Sequence, residues 1–377
     1  MKLEYHILSS LCVLIISYIS YTSCLNLPNH HHHSKHNPPC TFFIFGDSIL
    51  DVGNNNYINT STLDQANFWP YGINFLPVPT GRFSDGRLIS DFIAERAHLP
   101  LIPPYLQPGL HQFSHGVNFA SAGAGALVET FRHSVIDLHM QVRNYKEVAK
   151  WYKDKYGDVK ARKILRNGVY LFSIGTNDYM SLYLTNSTLS TIYTKPQYVS
   201  MVITNITSVV TEIYKIGGRK FGFLNVPAIG CAPSLRLIAN ANGECLKDVV
   251  TYTNLHNEAI FQALQQLTNK LPGFKFSLYD FYTSTLQRIK HPSKYGYKEA
   301  KTACCGTGKY RGVLSCGGKR IVKQYELCKN IDEHLFWDSI HFTQKTYMQI
   351  ANEMWNNTNY VHASHGSYTI KDLFYLR

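Results

Sequence analysis

Carboxylates are in short supply in this sequence. Twenty-five Asp and Glu face 37 Lys and Arg, a formal charge of +12 over 377 residues. An excess of that sign suits adhesion to an acidic polymer or a membrane surface. The basic residues, however, gather at 146–166 and 309–323, and such runs are ordinarily solvated faces. No Cys-x-x-Cys pair occurs, so the usual zinc-site spacing is missing and no metal is expected. No nucleic-acid-binding motif and no internal repeat appear, which argues against a nucleic-acid partner and a solenoid. Beyond the first two dozen residues no apolar run approaches the ~20 residues that a membrane-spanning helix needs.

What is present begins with a leader. Lys2 precedes an apolar run of about 13 residues, Ile7 to Ile19, followed by Thr22, Ser23 and Cys24. This is the pattern of a signal peptide over 1–24. A short membrane anchor is the alternative. Removal leaves 377 − 24 = 353 residues, a size that one α/β domain can reach. The His-rich tract at 30–36 reads as part of a solvated, disordered spacer over 25–39, with one domain over 40–377. Sequons at Asn59, Asn186, Asn205 and Asn356 fit a glycoprotein. The expected location is extracellular, with the vacuole as alternative, and an acidic polysaccharide is a candidate partner.

Seven cysteines remain after the leader: Cys40, Cys231, Cys245, Cys304, Cys305, Cys316 and Cys328. An oxidising compartment favours pairing. Cys231 with Cys245 closes a loop worth about 3 kcal/mol in the chain-entropy model. Adjacent Cys304 and Cys305 bond more easily to Cys316 and Cys328 than to each other, in an order the sequence leaves open. Cys40 is left over. The segment between Cys304 and Cys328 reads as a long surface insert.

Strand and helix patterns alternate along the chain. Apolar runs at 41–45, 117–120, 169–174, 221–226 and 274–279 have strand length. Between or after them, helical spacing covers the apolar positions Leu88 to Ala97, with Asp85 as cap, and then 136–156, 196–216, 245–271 and 344–355. Five strands separated mostly by helices predict a parallel sheet covered on both faces. Functional residues of such sheets collect beyond the strands' carboxyl ends.

Four polar clusters stand out. Ser48 follows the first strand in FIFGDSILDVGNNN. Gly123 lies in NFASAGAG, just past the second. Asn177 lies in GTND, directly after the third. Asp338 and His341 lie in FWDSIHFT, ahead of the last helix. These are the groups that ester cleavage needs. A serine hydroxyl becomes nucleophilic when a base takes its proton. A carboxylate then fixes the imidazole and stabilises the imidazolium, and preorganised donors receive the oxyanion. Ser48, Asp338 and His341 are the candidate catalytic residues. The N–H groups of Ser48 and Gly123 and the side-chain amide of Asn177 are candidate oxyanion donors. Gly46 is expected to make the tight turn, and Asp47 with Asn54 to Asn56 to hold it by side-chain to backbone hydrogen bonds.

These blocks, in this order, resemble the plant GDSL esterase/lipases of the SGNH hydrolase superfamily. NFWPYG, TGRFSDGRLISDFIAE, LPLIPPYL, NVPAIGCAPSLR and CCGTGKYRG extend the resemblance over nearly all of the mature chain. The missing Gly-x-Ser-x-Gly elbow of the α/β-hydrolases agrees with it. The resemblance implies a flavodoxin-like three-layer α/β/α sandwich with a five-stranded parallel sheet. It also implies a secreted esterase working through an acyl-serine on lipid or small-molecule esters, and no cofactor. Phe342 and Ser339 depart from the family pattern and are expected to reshape the acyl pocket. Two other readings stand beside this one: an acyltransferase with the same triad, and a non-enzymatic wall-associated binding glycoprotein.

Overall fold

The computed structural model describes residues 41–185, 187–239, 243–356, 360–361 and 367–376. The leader, the His-rich spacer, Cys40 and Asn186 lie outside the described residues. Five short strands carry the fold: β1 (Phe42–Gly46), β2 (Gly116–Asn118), β3 (Val169–Ser173), β4 (Lys220–Leu224) and β5 (Lys275–Tyr279). All neighbours pair in parallel, in the order β2-β1-β3-β4-β5. That is the flavodoxin-like order, whose switch point falls where β1 separates β2 from β3.

Helices cover both faces, as near-continuous apolar strands require. One layer holds α2 (Leu138–Asn167), α4 (Lys195–Ile216) and α6 (Lys247–Lys270), packed side by side. The other holds α1 (Ile89–Arg96), α8 (Gln344–Asn356) and α9 (Ile370–Tyr375). The remaining helices used below are α3 (Thr176–Leu184), α5 (Pro233–Ala239) and α7 (Phe281–Lys290). Alternate residues on adjacent strands stack as aromatic rows. Phe43, Tyr170 and Phe221 form one row, at centroid spacings of 5.0 and 5.3 Å. Phe45, Phe172 and Phe223 form the next, at 4.9 and 5.2 Å. Most of the chain's aromatic content on the strands is therefore core.

Two local expectations are corrected. Asp85 does not cap α1, whose first turn is held by Asp91 accepting from the Leu88 N–H. Asp85 instead accepts from the Gln344 N–H at 2.7 Å and so serves the start of α8, 259 residues away. α2 also runs past the expected end to Asn167, broken at Gly157, where the backbone is not helical.

Among the described residues three disulfides form: Cys231–Cys245, Cys304–Cys328 and Cys305–Cys316. The last two clip the insert, which is no mere surface appendage. Cys304, Cys305 and Cys316 are buried with Phe68, Tyr71, Phe83 and Trp337 in a second, smaller core.

Candidate active site

β1 ends on Gly46 with φ +148°, and a Cβ there would stand 2.2 Å from the Ser173 carbonyl oxygen of β3. Only glycine admits the next strand so closely. Gln141 of α2 clamps the same residue, accepting from the Gly46 N–H at 2.9 Å and donating to its carbonyl at 2.8 Å. The chain then turns through Asp47 and presents Ser48 at the sheet's rim, with 8% of its surface exposed.

The asparagines after Ser48 reach much farther than expected. Asn54 donates to the carbonyls of Asn118 and Ala120, and Asn55 to that of Ala122. Asp51 accepts from the N–H groups of Gly53, Asn54 and Ala122. Asn54 and Asn55 therefore fix the β2 loop, which carries Gly123, and Asn56 donates to the Thr80 carbonyl, while Asp47 holds the turn itself by accepting from the Ile49 N–H at 3.0 Å. Asp178, next to Asn177, accepts from the N–H groups of Ala126 and Leu127 and from the Thr130 hydroxyl. Asn177 spends one amide hydrogen on the Ala124 carbonyl at 2.9 Å. Its second amide hydrogen is left for another acceptor.

Asp338 and His341 come from the loop ahead of α8. His341 Nε2 lies 2.8 Å from Ser48 Oγ, across 293 residues of sequence. His341 Nδ1 lies 2.9 Å from both carboxylate oxygens of Asp338. Phe83 packs on the imidazole at 4.6 Å. Burial alone would raise the Asp338 carboxyl. The adjoining His341 side chain, hydrogen bonds from its ring and backbone N–H, and the Tyr71 hydroxyl outweigh that and hold it well below the usual carboxylate range.

Sequence reasoning missed Gln141 and the support behind Asp338. Tyr71 donates to Asp338 Oδ2 at 2.7 Å, and Arg320 of the clipped insert donates to the Tyr71 oxygen at 3.0 Å. Gln141 sits in an expected helix, Tyr71 in the NFWPYG block and Arg320 in the basic run 309–323, but nothing in local spacing gives their partners.

A cavity of about 260 Å³ opens on Ser48, Gly123, Asn177 and His341, with Phe83, Phe131, Met180, Leu184, Leu314 and Ile340 among its walls. Phe342 and Ser339 are not among the residues lining it. Phe342 is buried in the core against Phe336 and Phe281, which corrects the expectation that it shapes the pocket. The Ser339 carbonyl accepts from the Ser234 N–H of α5.

A hydroxyl, an imidazole and a carboxylate in line, beside a loop N–H and a side-chain amide, constitute the equipment of a serine acyl hydrolase. The chain belongs to the GDSL-like lipase/acylhydrolase family, whose model matches residues 42–354. It is 55% identical to GDSL esterase/lipase 5 of Arabidopsis thaliana, over 91% of this chain and 89% of that one. It is 50% identical to GDSL esterase/lipase 2 of the same plant, over 83% and 85%. Against a GDSL lipase of Tanacetum cinerariifolium the figure is 45%, over 93% and 92%. The chain is thus a hydrolase of the GDSL esterase/lipase family.

Proposed function

We propose that the chain is a secreted carboxylic-ester hydrolase that works through an acyl-serine. The observation that carries this is the 2.8 Å contact between Ser48 Oγ and His341 Nε2, with Asp338 on the far side of the ring. His341 takes the Ser48 proton as Oγ attacks the ester carbon, and Asp338 holds the imidazole and stabilises its charged form. The oxyanion is received by the N–H groups of Ser48 and Gly123 and the Asn177 amide. The leaving alcohol departs with the proton from His341, and water repeats the sequence to free the acid. The apolar cavity walls favour lipid or small-molecule esters with an apolar acyl group. Secretion is supported by the leader and by three disulfides. Asn59 and Asn356 are exposed sequons in the folded chain.

In the test, Ser48→Ala is expected to lose p-nitrophenyl butyrate turnover and fluorophosphonate labelling while its melting temperature stays within a few degrees of wild type. Retained turnover in a folded Ser48→Ala protein overturns the assignment.

A second reading is acyl transfer to an alcohol. The low exposure of Ser48 and the apolar walls favour it, because restricted water prolongs the acyl-enzyme. Product analysis with an ester donor and an alcohol acceptor separates the two: a new ester marks a transferase, free acid a hydrolase.

A further inference from the structure

One carboxyl group in the cavity has no part in the triad. Asp64 closes the short turn Thr62–Asp64 and shares the cavity with Ser48, Gly123 and Asn177. Its Oδ1 lies 2.8 Å from the point a Cβ on Gly123 would occupy. The carboxyl group therefore stands directly against the loop whose N–H faces the developing oxyanion. The main chain holds it there, since its carbonyl accepts from Asn55 Nδ2 at 2.8 Å and its N–H donates to the Ser61 carbonyl. Among the described residues no cation comes within ion-pair distance of Asp64. Burial raises its pKa to about 6, with Arg320, His341 and the Thr60 hydroxyl pulling the other way. At neutral pH the group is thus mostly ionised.

An anion beside an oxyanion hole opposes the charge that forms there, and in a cavity with little water the opposition is strong. A substrate that brings a hydrogen-bond donor to the carboxylate removes that penalty and adds a charge-assisted bond. An all-carbon substrate of the same shape covers the half-buried carboxylate and offers it no donor beyond the Thr60 hydroxyl already beside it, which is the costlier case.

We propose that Asp64 is a specificity determinant, and that the site selects esters carrying a hydroxyl or protonated amine close to the scissile bond over their all-carbon isosteres. This rests on Ser48 being the nucleophile. The test compares kcat/KM at pH 7.5 within two matched pairs. One is 2-hydroxyethyl butyrate against propyl butyrate; the other is 2-(dimethylamino)ethyl butyrate against 3-methylbutyl butyrate.

Wild type is expected to favour the donor-bearing member of at least one pair by about tenfold. Asp64→Leu is expected to bring that ratio near one while turnover of the all-carbon esters holds or rises. Asp64→Asn keeps an acceptor oxygen without the charge, so it should retain part of a hydroxyl preference and lose an amine preference. A purely structural role predicts instead that all four esters fall together. That result, an unchanged ratio in either folded variant, or flat ratios in wild type, overturns the proposal. Fluorophosphonate labelling of Ser48 separates the two failures. Labelling with flat ratios sinks the Asp64 proposal alone; no labelling and no acid release sink the Ser48 assignment with it.

Discussion

The two sides of the site are held by different means. On the nucleophile side, the loops after β1, β2 and β3 are knitted by buried carboxamides and carboxylates: Gln141, Asn54, Asn55, Asp51 and Asp178 all bond to backbone of a neighbouring loop. On the base side, Asp338 and His341 are held by rings and cross-links. Phe83 lies on the imidazole, Tyr71 reaches Asp338, and Arg320 reaches Tyr71 from between two disulfides. The first kind of support fixes donors by direction. The second fixes a ring by surrounding its volume. Oxyanion donors need direction most, because their effect depends on where the N–H points.

The largest expected effect comes from the base side. Asp338→Asn leaves shape nearly intact but takes away the negative charge beside the imidazolium, and kcat should fall by about 10³–10⁴-fold with little change in KM. A loss below tenfold would mean that the Asp338 charge does not act on the imidazole it touches. Next, Asn54→Ala strips the partner from two buried carbonyls and from the Leu106 N–H. The expected cost is about 2–3 kcal/mol in denaturant unfolding, with kcat reduced through the β2 loop. An unchanged midpoint would show that the carboxamide network is dispensable.

Tyr71→Phe is a milder perturbation of the base side. It removes one hydrogen bond to Asp338 and the acceptor for Arg320, and kcat should drop by a few fold while Asn54-dependent stability is untouched. The last comparison separates the sides by pH. Burial raises Asp47 to about 7, opposed by the Ile49 N–H and reinforced by Asp178 and Asp51. The native state then holds a proton that the unfolded chain has released above the ordinary aspartate value of about 3.8. This group's contribution is fully present below about pH 4 and is lost as pH rises through about 7. Asp47→Asn should therefore gain stability relative to wild type as pH rises from about 4 to 8, by unfolding midpoints read at each pH. His256, held down to about 3 by burial, acts with the opposite sign in both proteins and cancels in that difference.

Much of this was legible beforehand, and for a definite reason. The five strands are apolar runs bounded by glycine or charge, so their existence was plain and only their ends shifted by one or two residues, as at Gly46 and Leu224. Ser48, Gly123, Asn177, Asp338 and His341 fall beside elements that periodicity locates. Asp85, Gln141, Tyr71 and Arg320 were not legible. Each acts on a residue at least 95 positions away, and a side chain's distant partner leaves no period in the sequence around it. Asn54 and Asn55 looked like turn formers because asparagine usually is one. Their reach to β2 depended on a sheet order that local pattern does not state.

The 293 residues between Ser48 and His341 have a consequence for biosynthesis. A nascent chain displays its reactive hydroxyl and both neighbouring donors long before the imidazole leaves the ribosome. Until the loop that carries His341 docks, the Ser48 hydroxyl lacks the imidazole that stands 2.8 Å from it in the folded chain, so the proposed chemistry waits on that docking.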